Sequence, residues 1–459
     1  MQPMRLAMLL PVLLLPAPAL AAGPVPNLAW GLPFLGVLAS IALLPMLAPR
    51  FWHRRMGLVA LCCVLALVVP QSVAQGVPVM AEAVWHAVLI EYLPFVSLLG
   101  ALYVVGGGIL LRGGPWGTPA GNTLLLAIGT VLAGVMGTTG AAMVLVHPLL
   151  RANAHRARKT HLAVFFILLV ANAGGATTPL GDPPLYVGFL RGVPFGWPLL
   201  NLGFLLLLLA LPLLGAFWLL DRHLAAGDSP PAPMEPLHLR GWGNLALLGV
   251  VVGMVVLQGV WHPGDISLAG QLIGAERLVA MAVFTAAGVI SLATTPRAVR
   301  QGNFFSWAPI AEVAILFAAI FITIGPVMGM LHAGLDGPLA PLLRLNMDGA
   351  GHARPMATFW LAGILSAFLD NAPTYLVFFE LAGGDSATLT GSLNPSLTAL
   401  SAGAVFFGAL TYIGNAPNMM VRAIAAHRGV RMPGFFGFML WAGVLLLPGF
   451  LLLSLVFFR

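Results

Sequence analysis

The stretch Asn172-Ala173-Gly174-Gly175-Ala176-Thr177-Thr178-Pro179-Leu180-Gly181-Asp182-Pro183-Pro184 decides how this chain is read. It lies inside an apolar segment near 161–190 that could cross a bilayer, whose hydrocarbon core takes roughly 20 helical residues. Glycines weaken a helix there, and three prolines remove backbone donors and clash with the preceding turn. A carboxylate, Asp182, stands among them. Irregular polar backbone at membrane depth is tolerated only where protein or a water-filled cavity surrounds it. The segment is therefore expected to be a broken helix lining a site. Its half-helix ends would offer free N–H groups to anions and free C=O groups to cations.

The rest of the chain agrees with a membrane setting. Of 459 residues, 59% are hydrophobic and 8% charged, against about a quarter charged in a soluble domain. Long apolar runs recur throughout and leave no soluble domain over. The expected fold is an all-α polytopic membrane protein of about 10–11 transmembrane helices plus two re-entrant hairpins. The net charge of +7 reads as Lys and Arg gathered in cytoplasmic loops rather than as a nucleic-acid surface. Cys62 and Cys63 are adjacent in an apolar run and imply neither a disulfide framework nor a metal site. Residues 1–22, with Arg5, an apolar run and Ala19-Leu20-Ala21, read as a signal peptide or a first transmembrane helix. Either one places the following chain in the periplasm.

Basic residues order the spans. Segments near 31–48 and 57–73 flank Arg50, His53, Arg54 and Arg55, and a span near 87–111 ends at Arg112. The stretch 121–150 is followed by Arg151, Arg156, Arg158 and Lys159, the strongest cytoplasmic signal in the chain. Arg112 and this cluster share a side, and thirty residues cannot cross twice, so 121–150 is expected to be a re-entrant hairpin. A broken span at 161–190 and a span at 197–219 lead to a polar cytoplasmic linker, 221–240, which contains Ser229-Pro230-Pro231-Ala232-Pro233. Beyond it come spans near 242–260, 276–295 and 305–330, and a periplasmic loop with Asp336, Asp348 and Arg354. A second hairpin at 355–382, a broken span at 397–424 and a last span at 434–457 follow. Arg191, Arg277, Arg344, Arg354 and Arg459 fall outside the pattern.

The order of parts is the same on both sides of the linker, but the two hairpins open to opposite sides. That is the pattern of an inverted-topology repeat (31–220 and 241–459), common among secondary transporters. Gly181-Asp182-Pro183-Pro184 matches Gly414-Asn415-Ala416-Pro417 at an offset of about 233, and Thr139-Gly140-Ala141-Ala142 is set against Asp370-Asn371-Ala372-Pro373 at about 231. Glu91 and Glu312 each open the long span before a hairpin.

Polar groups are costly in a bilayer, and those that persist are usually functional. They concentrate at two hairpin tips, Gly137-Thr138-Thr139-Gly140 and Leu369-Asp370-Asn371-Ala372-Pro373-Thr374, and at two breaks, the one quoted first and Thr411-Tyr412-Ile413-Gly414-Asn415-Ala416-Pro417-Asn418. Related by a pseudo-two-fold, the four would converge on one midplane site of hydroxyls, amides and two carboxylates, with no Lys. Hard oxygen ligands suit Na⁺; Asp182, Asp370, Asn371 and Asn415 are the candidate ion ligands. Asp182 and Asp370 are also candidate proton carriers, with Glu91 and Glu312 as further candidates that could equally be structural carboxylates at helix ends. Glu380 is expected at the periplasmic mouth, and His147 and His161 near the cytoplasmic surface. The bland alternatives are kinks for Gly and Pro and backbone bonding for Thr138 and Thr139.

These motifs — Asn172-Ala173-Gly174-Gly175, Pro179-Leu180-Gly181-Asp182, Asp370-Asn371-Ala372-Pro373 and Gly414-Asn415-Ala416-Pro417-Asn418 — resemble the ion transporter superfamily over nearly the whole chain after residue 30. That superfamily includes NhaD-type Na⁺/H⁺ antiporters, ArsB-type arsenite carriers, citrate–metal carriers and divalent anion–sodium symporters. The closest likeness is to a bacterial branch labelled sodium:proton antiporter or citrate transporter. The resemblance implies an inner-membrane multi-pass protein, an elevator-like motion and a homodimer. By position it implies one half-site of Thr138, Thr139, Asn172, Thr177, Thr178 and Asp182, and another of Asp370, Asn371, Thr374, Thr411, Asn415 and Asn418. Dicarboxylate symporters of this superfamily carry Ser-Asn-Thr at each tip. Here the tips read Thr138-Thr139-Gly140 and Asp370-Asn371-Ala372, and an acidic tip repels a carboxylate. The leading expectation is Na⁺/H⁺ antiport, with Na⁺ and H⁺ as transported ions and no other cofactor. The alternative is Na⁺- or H⁺-coupled uptake of citrate or another organic anion, of a metal–citrate complex or of arsenite. An intramembrane enzyme is disfavoured, because no His-Glu-x-x-His or Gly-x-Ser-x-Gly occurs in a plausible context. A passive subunit of a larger complex would not need two broken helices.

Overall fold

Prolines mark where many of the helices begin, since a missing N–H costs nothing in a first turn. Pro33 opens α1 (Leu32–Leu47), Pro49 opens α2 (Pro49–Gln75), and Pro78 opens α3 (Val77–Gly106), which passes through a π-helical turn at Ala87–Tyr92. Then come α4 (Pro119–Met136) and α5 (Thr138–Ala152), which meet at Gly137. The pair α6 (Thr160–Leu169) and α7 (Pro183–Leu190) is separated by a short 3₁₀ turn at Ala173–Thr177, and α8 (Trp197–Ala225) closes the first half. The second half runs in the same order: α9 (Gly243–Gln258), α10 (Ala275–Thr294), then α11 (Ala308–Thr323), which Gly325–His332 continues at a 42° bend. Two helices meeting at Asp370 follow, α12 (Pro355–Leu369) and α13 (Asn371–Leu381). Last come α14 (Asn394–Phe407) and α15 (Ala416–His427), separated by a turn at Gly408–Leu410, and α16 (Phe435–Phe457).

The structure is a computed structural model and describes residues 27–226, 228, 236–268, 270–347 and 353–459. The signal-peptide or first-helix reading of 1–22, the Pro-rich run 229–233 and Asp348 lie outside them. The chain is an all-α multi-pass membrane protein. Among the described residues eight helices are long and apolar enough to cross a membrane, or nine with the bent pair at α11. One of the eight is α4, from the stretch expected to form a hairpin; of the expected spans, α9 has only 16 residues and α14 and α15 are each too short. Two short antiparallel ribbons, Leu110–Arg112 with His238–Arg240 and Asp265–Leu268 with Gln271–Gly274, are the strands that periodicity did not announce.

The broken helices form the centre. Leu162 to Leu169 in α6 are all fully buried, as are Leu397, Leu400, Val405 and Phe406 in α14, as expected of helices apolar all round. By contrast α2 and α16 expose Leu58, Leu61 and Val69, and Phe436, Leu440 and Val444, the outward face that lipid would cover.

The two breaks share one backbone geometry. Gly137 (φ 78°, ψ 151°) and Asp370 (φ 76°, ψ 144°) turn the two hairpins alike. Asp182 (φ −144°, ψ 141°) and Asn415 (φ −154°, ψ 138°) precede α7 and α15 alike. Thr178 Oγ1 donates to the Gly134 carbonyl and accepts from the Leu180 N–H at 3.1 Å. Thr411 Oγ1 donates to the Ala367 carbonyl and accepts from the Ile413 N–H at 3.2 Å. All these pairs are 233 residues apart, so the tip of the first hairpin aligns Gly137, not Thr139, with Asp370. Matching Thr139 to Asp370 weighed small residues and missed the left-handed turn that both tips need.

The linker begins later than its composition suggested. Asp221 belongs to α8 and is fully buried, because Arg156, His161 (Nε2 at 2.8 Å) and Asn122 (Nδ2 at 2.9 Å) converge on its carboxylate. His161, in the first turn of α6, is accordingly buried within the protein. Arg50, Arg54 and Arg55 lie in the first turns of α2.

The close approach of each break to the strand of chain before it leaves no room for a side chain. A Cβ on Gly414 would sit 2.7 Å from the Gly408 carbonyl oxygen and 3.0 Å from that of Ala367, and one on Gly181 would overlap the Gly175 carbonyl. Gly181→Ala and Gly414→Ala should each lower the thermal midpoint of the detergent-solubilised protein by several degrees, measured by fluorescence-detected size exclusion. Gly215→Ala, with nothing within 4 Å, should leave it unchanged or raise it slightly.

Candidate functional site

Asp182 and Asn415 each sit at the N-cap of a half-helix, yet neither side chain caps its own helix. They face each other. Asn415 Nδ2 donates to Asp182 Oδ1 at 2.9 Å, and Asn371 Nδ2 donates to Asp182 Oδ2 at 2.5 Å. Asp182 is 1% exposed. A carboxylate at the centre of a bilayer costs about 2.5–3.5 kcal/mol on insertion scales. Hydrogen bonds to a charged group contribute about 1.5–3 kcal/mol each, so two amides are of a size to offset that cost. The carboxylate thereby ties the first break to the second hairpin and the second break. Asn371 Oδ1 is left buried with no hydrogen-bond partner.

Around this centre the remaining amides and hydroxyls satisfy backbone. Asn172 Nδ2 donates to Asn418 Oδ1 at 2.7 Å and to the Ile167 carbonyl at 2.8 Å. Asn418 Nδ2 donates to the Gly408 and Thr411 carbonyls at 2.8 and 2.9 Å. These are carbonyls that the helix breaks release. Thr374 Oγ1 donates to the Asp370 carbonyl at 3.0 Å and staples the turn. Thr177 packs against Gly134, where a Cβ would strike its hydroxyl.

The other expected residues open onto a cavity of about 70 Å³, room for an ion with a few waters. Thr138, Thr139, Asp370 and Asn415 line it. So do the first residues of four half-helices, with Thr138 from α5, Asp370 before α13, Pro183 from α7 and Ala416 from α15. Each helix brings its positive end to the cavity, and two carboxylates meet those ends. Sequence reasoning missed the opposite wall: Leu99 and Tyr103 from α3, and Pro309, Val313 and Phe317 from α11. Apart from Tyr103 it is apolar, so no polar residue flagged it. The available clue was position, since α3 and α11 are the two long spans that precede the hairpins.

Glu91 and Glu312 do not line the cavity. Arg191 pairs with Glu91 at 3.1 Å and also with Glu380, whose second oxygen meets His332 Nε2 at 2.8 Å. Glu380 is therefore not open to a mouth, with its side chain only 4% exposed, because Arg191 and His332 enclose it. Glu312 accepts from the Trp52 indole at 3.3 Å. Among the described residues no group of three or more His, Cys, Asp or Glu is arranged to hold a metal ion.

A protein family described as "Putative citrate transport" matches residues 24–458. The chain belongs to that family. Relatives with the printed name "Uncharacterized transporter" occur in Mycobacterium bovis and Mycobacterium tuberculosis, each 24% identical over 324 residues, covering 68% of this chain and 71% of the relative. A further uncharacterized transporter of Mycobacterium tuberculosis is 24% identical over 277 residues, covering 57% of this chain and 59% of that relative. The family and its relatives make this protein a transporter rather than an enzyme.

Within the transporter, the two groups of carboxylates should behave differently. Asn415→Ala removes a donor from a buried carboxylate, a loss of about 1–3 kcal/mol, and should cut the initial transport rate in vesicles tenfold or more. Glu91→Gln should leave that rate within a factor of two while lowering the thermal midpoint, since it loosens an ion pair away from the cavity.

Proposed function

We propose that this transporter exchanges Na⁺ for H⁺ across the bacterial inner membrane, with the Asp182–Asn371–Asn415 cluster and Asp370 as the site both ions share. The observation that carries this reading is the buried Asp182 carboxylate spanned by two amides, with Asn371 Oδ1 beside it lacking a partner. An oxygen acceptor without a donor is what a hard cation satisfies. The lining supports it: one carboxylate, the hydroxyls of Thr138, Thr139 and Tyr103, and an amide, with no Lys, Arg or His among the described lining residues. A proton on Asp182 or Asp370 and a Na⁺ among the same oxygens exclude each other on charge, which is the requirement for exchange. The matched breaks and the repeated order of helices support an inverted-repeat frame in which one element rocks against another. The elevator motion and the homodimer remain part of this proposal.

The family's description favours a second reading, citrate transport. Asp370 at the cavity and the absence of a basic lining residue disfavour a bare tricarboxylate. A citrate whose charge is partly neutralised by a bound cation escapes that objection, and the four helix N-termini would receive its remaining oxygens.

The test is purified protein in proteoliposomes under an imposed pH gradient, titrated with Na⁺, Li⁺, K⁺ and citrate, with and without Mg²⁺. Dissipation of the gradient by Na⁺ or Li⁺ alone, lost in Asp182→Asn and in Asp370→Asn, is the expected result. Unchanged Na⁺-driven exchange in Asp370→Asn would overturn the assignment. Dissipation only when citrate is present would move it to the second reading.

A further inference from the structure

A second cavity, about 220 Å³, lies in the same groove between α5 and α15. Its lining is His147, Phe304, Ala423, Ile424, His427 and Arg428. Thr139 and Met420 line the first cavity, and His147 and His427 stand eight and seven residues further along the same helices. At about 1.5 Å per residue that places the second cavity roughly 10–12 Å from the first. Between them is an apolar plug of Tyr103, Val104 and Met143, against which Phe305, Ile310 and Met420 pack. The second cavity is therefore a separate chamber, on the side of the Arg151–Lys159 cluster.

Its polar groups are basic. His147 is 1% exposed, and neither ring nitrogen meets a partner at hydrogen-bond geometry. Arg428 Nε is also buried without one. Buried donors without acceptors are rare in native proteins. No Asp or Glu is in the lining. Arg151 is one helical turn from His147 on α5.

Phe304 holds these groups together. Its ring stacks on His147 (5.0 Å, 21°), meets His427 edge-on (5.7 Å, 69°) and lies 5.3 Å from the Arg428 guanidinium carbon. It comes from the connection between α10 and α11 and has a φ of 52°, a left-handed backbone that a bulky residue keeps only when its surroundings hold it there. The ring is half exposed, so it forms a cover between the chamber and the surface.

We propose that this chamber is a second binding site, for a small polyvalent oxyanion held by Arg428, His427 and His147 beneath the Phe304 ring. Its residues are the opposite of those at the first cavity, donors where the first has acceptors. Free carboxylates and inorganic phosphate present the same chemistry to it. The proposal is independent of which ion the midplane site exchanges.

The experiment is calorimetric titration of the full-length protein in nanodiscs of zwitterionic lipid, at constant Na⁺, with citrate and separately with inorganic phosphate. Saturable binding of at least one is expected, retained in Asp370→Asn and weakened tenfold or more in Arg428→Gln. The tighter of the two identifies the class, carboxylate or phosphate. His427→Gln, at an exposed position, should weaken binding severalfold and serves if Arg428→Gln does not fold. No saturation of either anion at millimolar concentration, or equal binding by wild type, Arg428→Gln and His427→Gln, would overturn the proposal. So would loss of binding in Asp370→Asn alone, which would place the anion at the midplane.

Discussion

Hydrocarbon supplies no hydrogen bonds, so every backbone group that a broken helix releases has to be met by the protein itself. Each group left unmet costs several kcal/mol. This constraint accounts for most of the polar residues in the centre of the molecule. Thr178 and Thr411 each hold a hairpin carbonyl with the hydroxyl proton and a backbone N–H with the oxygen. Asn172 and Asn418 each hold backbone carbonyls of their own half and are joined across the halves by Asn172 Nδ2 donating to Asn418 Oδ1. Once these are spent on the backbone, few polar groups remain: Thr138, Thr139, Asp370 and Asn415 line the cavity, and Asp182 and Asn371 lie behind them, bonded to each other.

The two breaks are matched in backbone but not in charge. Asp182 stands where its counterpart is Asn415, and Thr138 where its counterpart is Asn371. A carboxylate in one half can accept from amides in the other, so the difference is what joins the halves. Two carboxylates at these positions would repel, and two amides would leave the centre without an ion of its own. One acid and one amide give a closed hydrogen-bonded contact with a single ionisable group.

Much of this was legible in the chain. The breaks, the hairpins and the order of the halves follow from Gly, Pro and polar residues at membrane depth, because few innocent reasons place them there. Asp182, Asn371 and Asn415 were readable as a group because the offset near 233 pairs Asp182 with Asn415 and the second hairpin tip supplies Asn371. Which polar residues face a cavity and which satisfy backbone was not readable, since Thr178 and Thr139 look alike in sequence and differ only in what lies 3 Å away. Glu91 has the structural partner that was one of its two readings, and Glu380, expected at a mouth, is enclosed. Their partner Arg191 lies 100 and 189 residues away and looked like an exception to a topology rule. The apolar wall from α3 and α11 carried no compositional mark at all.

One turn residue shows what this arrangement demands of the fold. The first hairpin turns on a glycine and the second, with the same dihedrals, on Asp370. With φ 76° and ψ 144° this turn lies outside the left-handed helical well that an aspartate tolerates, close to a region that is nearly glycine's alone. The second hairpin therefore carries a conformational handicap that its twin lacks. A glycine there would serve the architecture better and would delete a charge from the cavity. The residue that bends the chain is thus held at a compromise, with thermodynamic robustness pulling one way and solute chemistry the other, and the glycine at the first tip shows what the unburdened choice looks like.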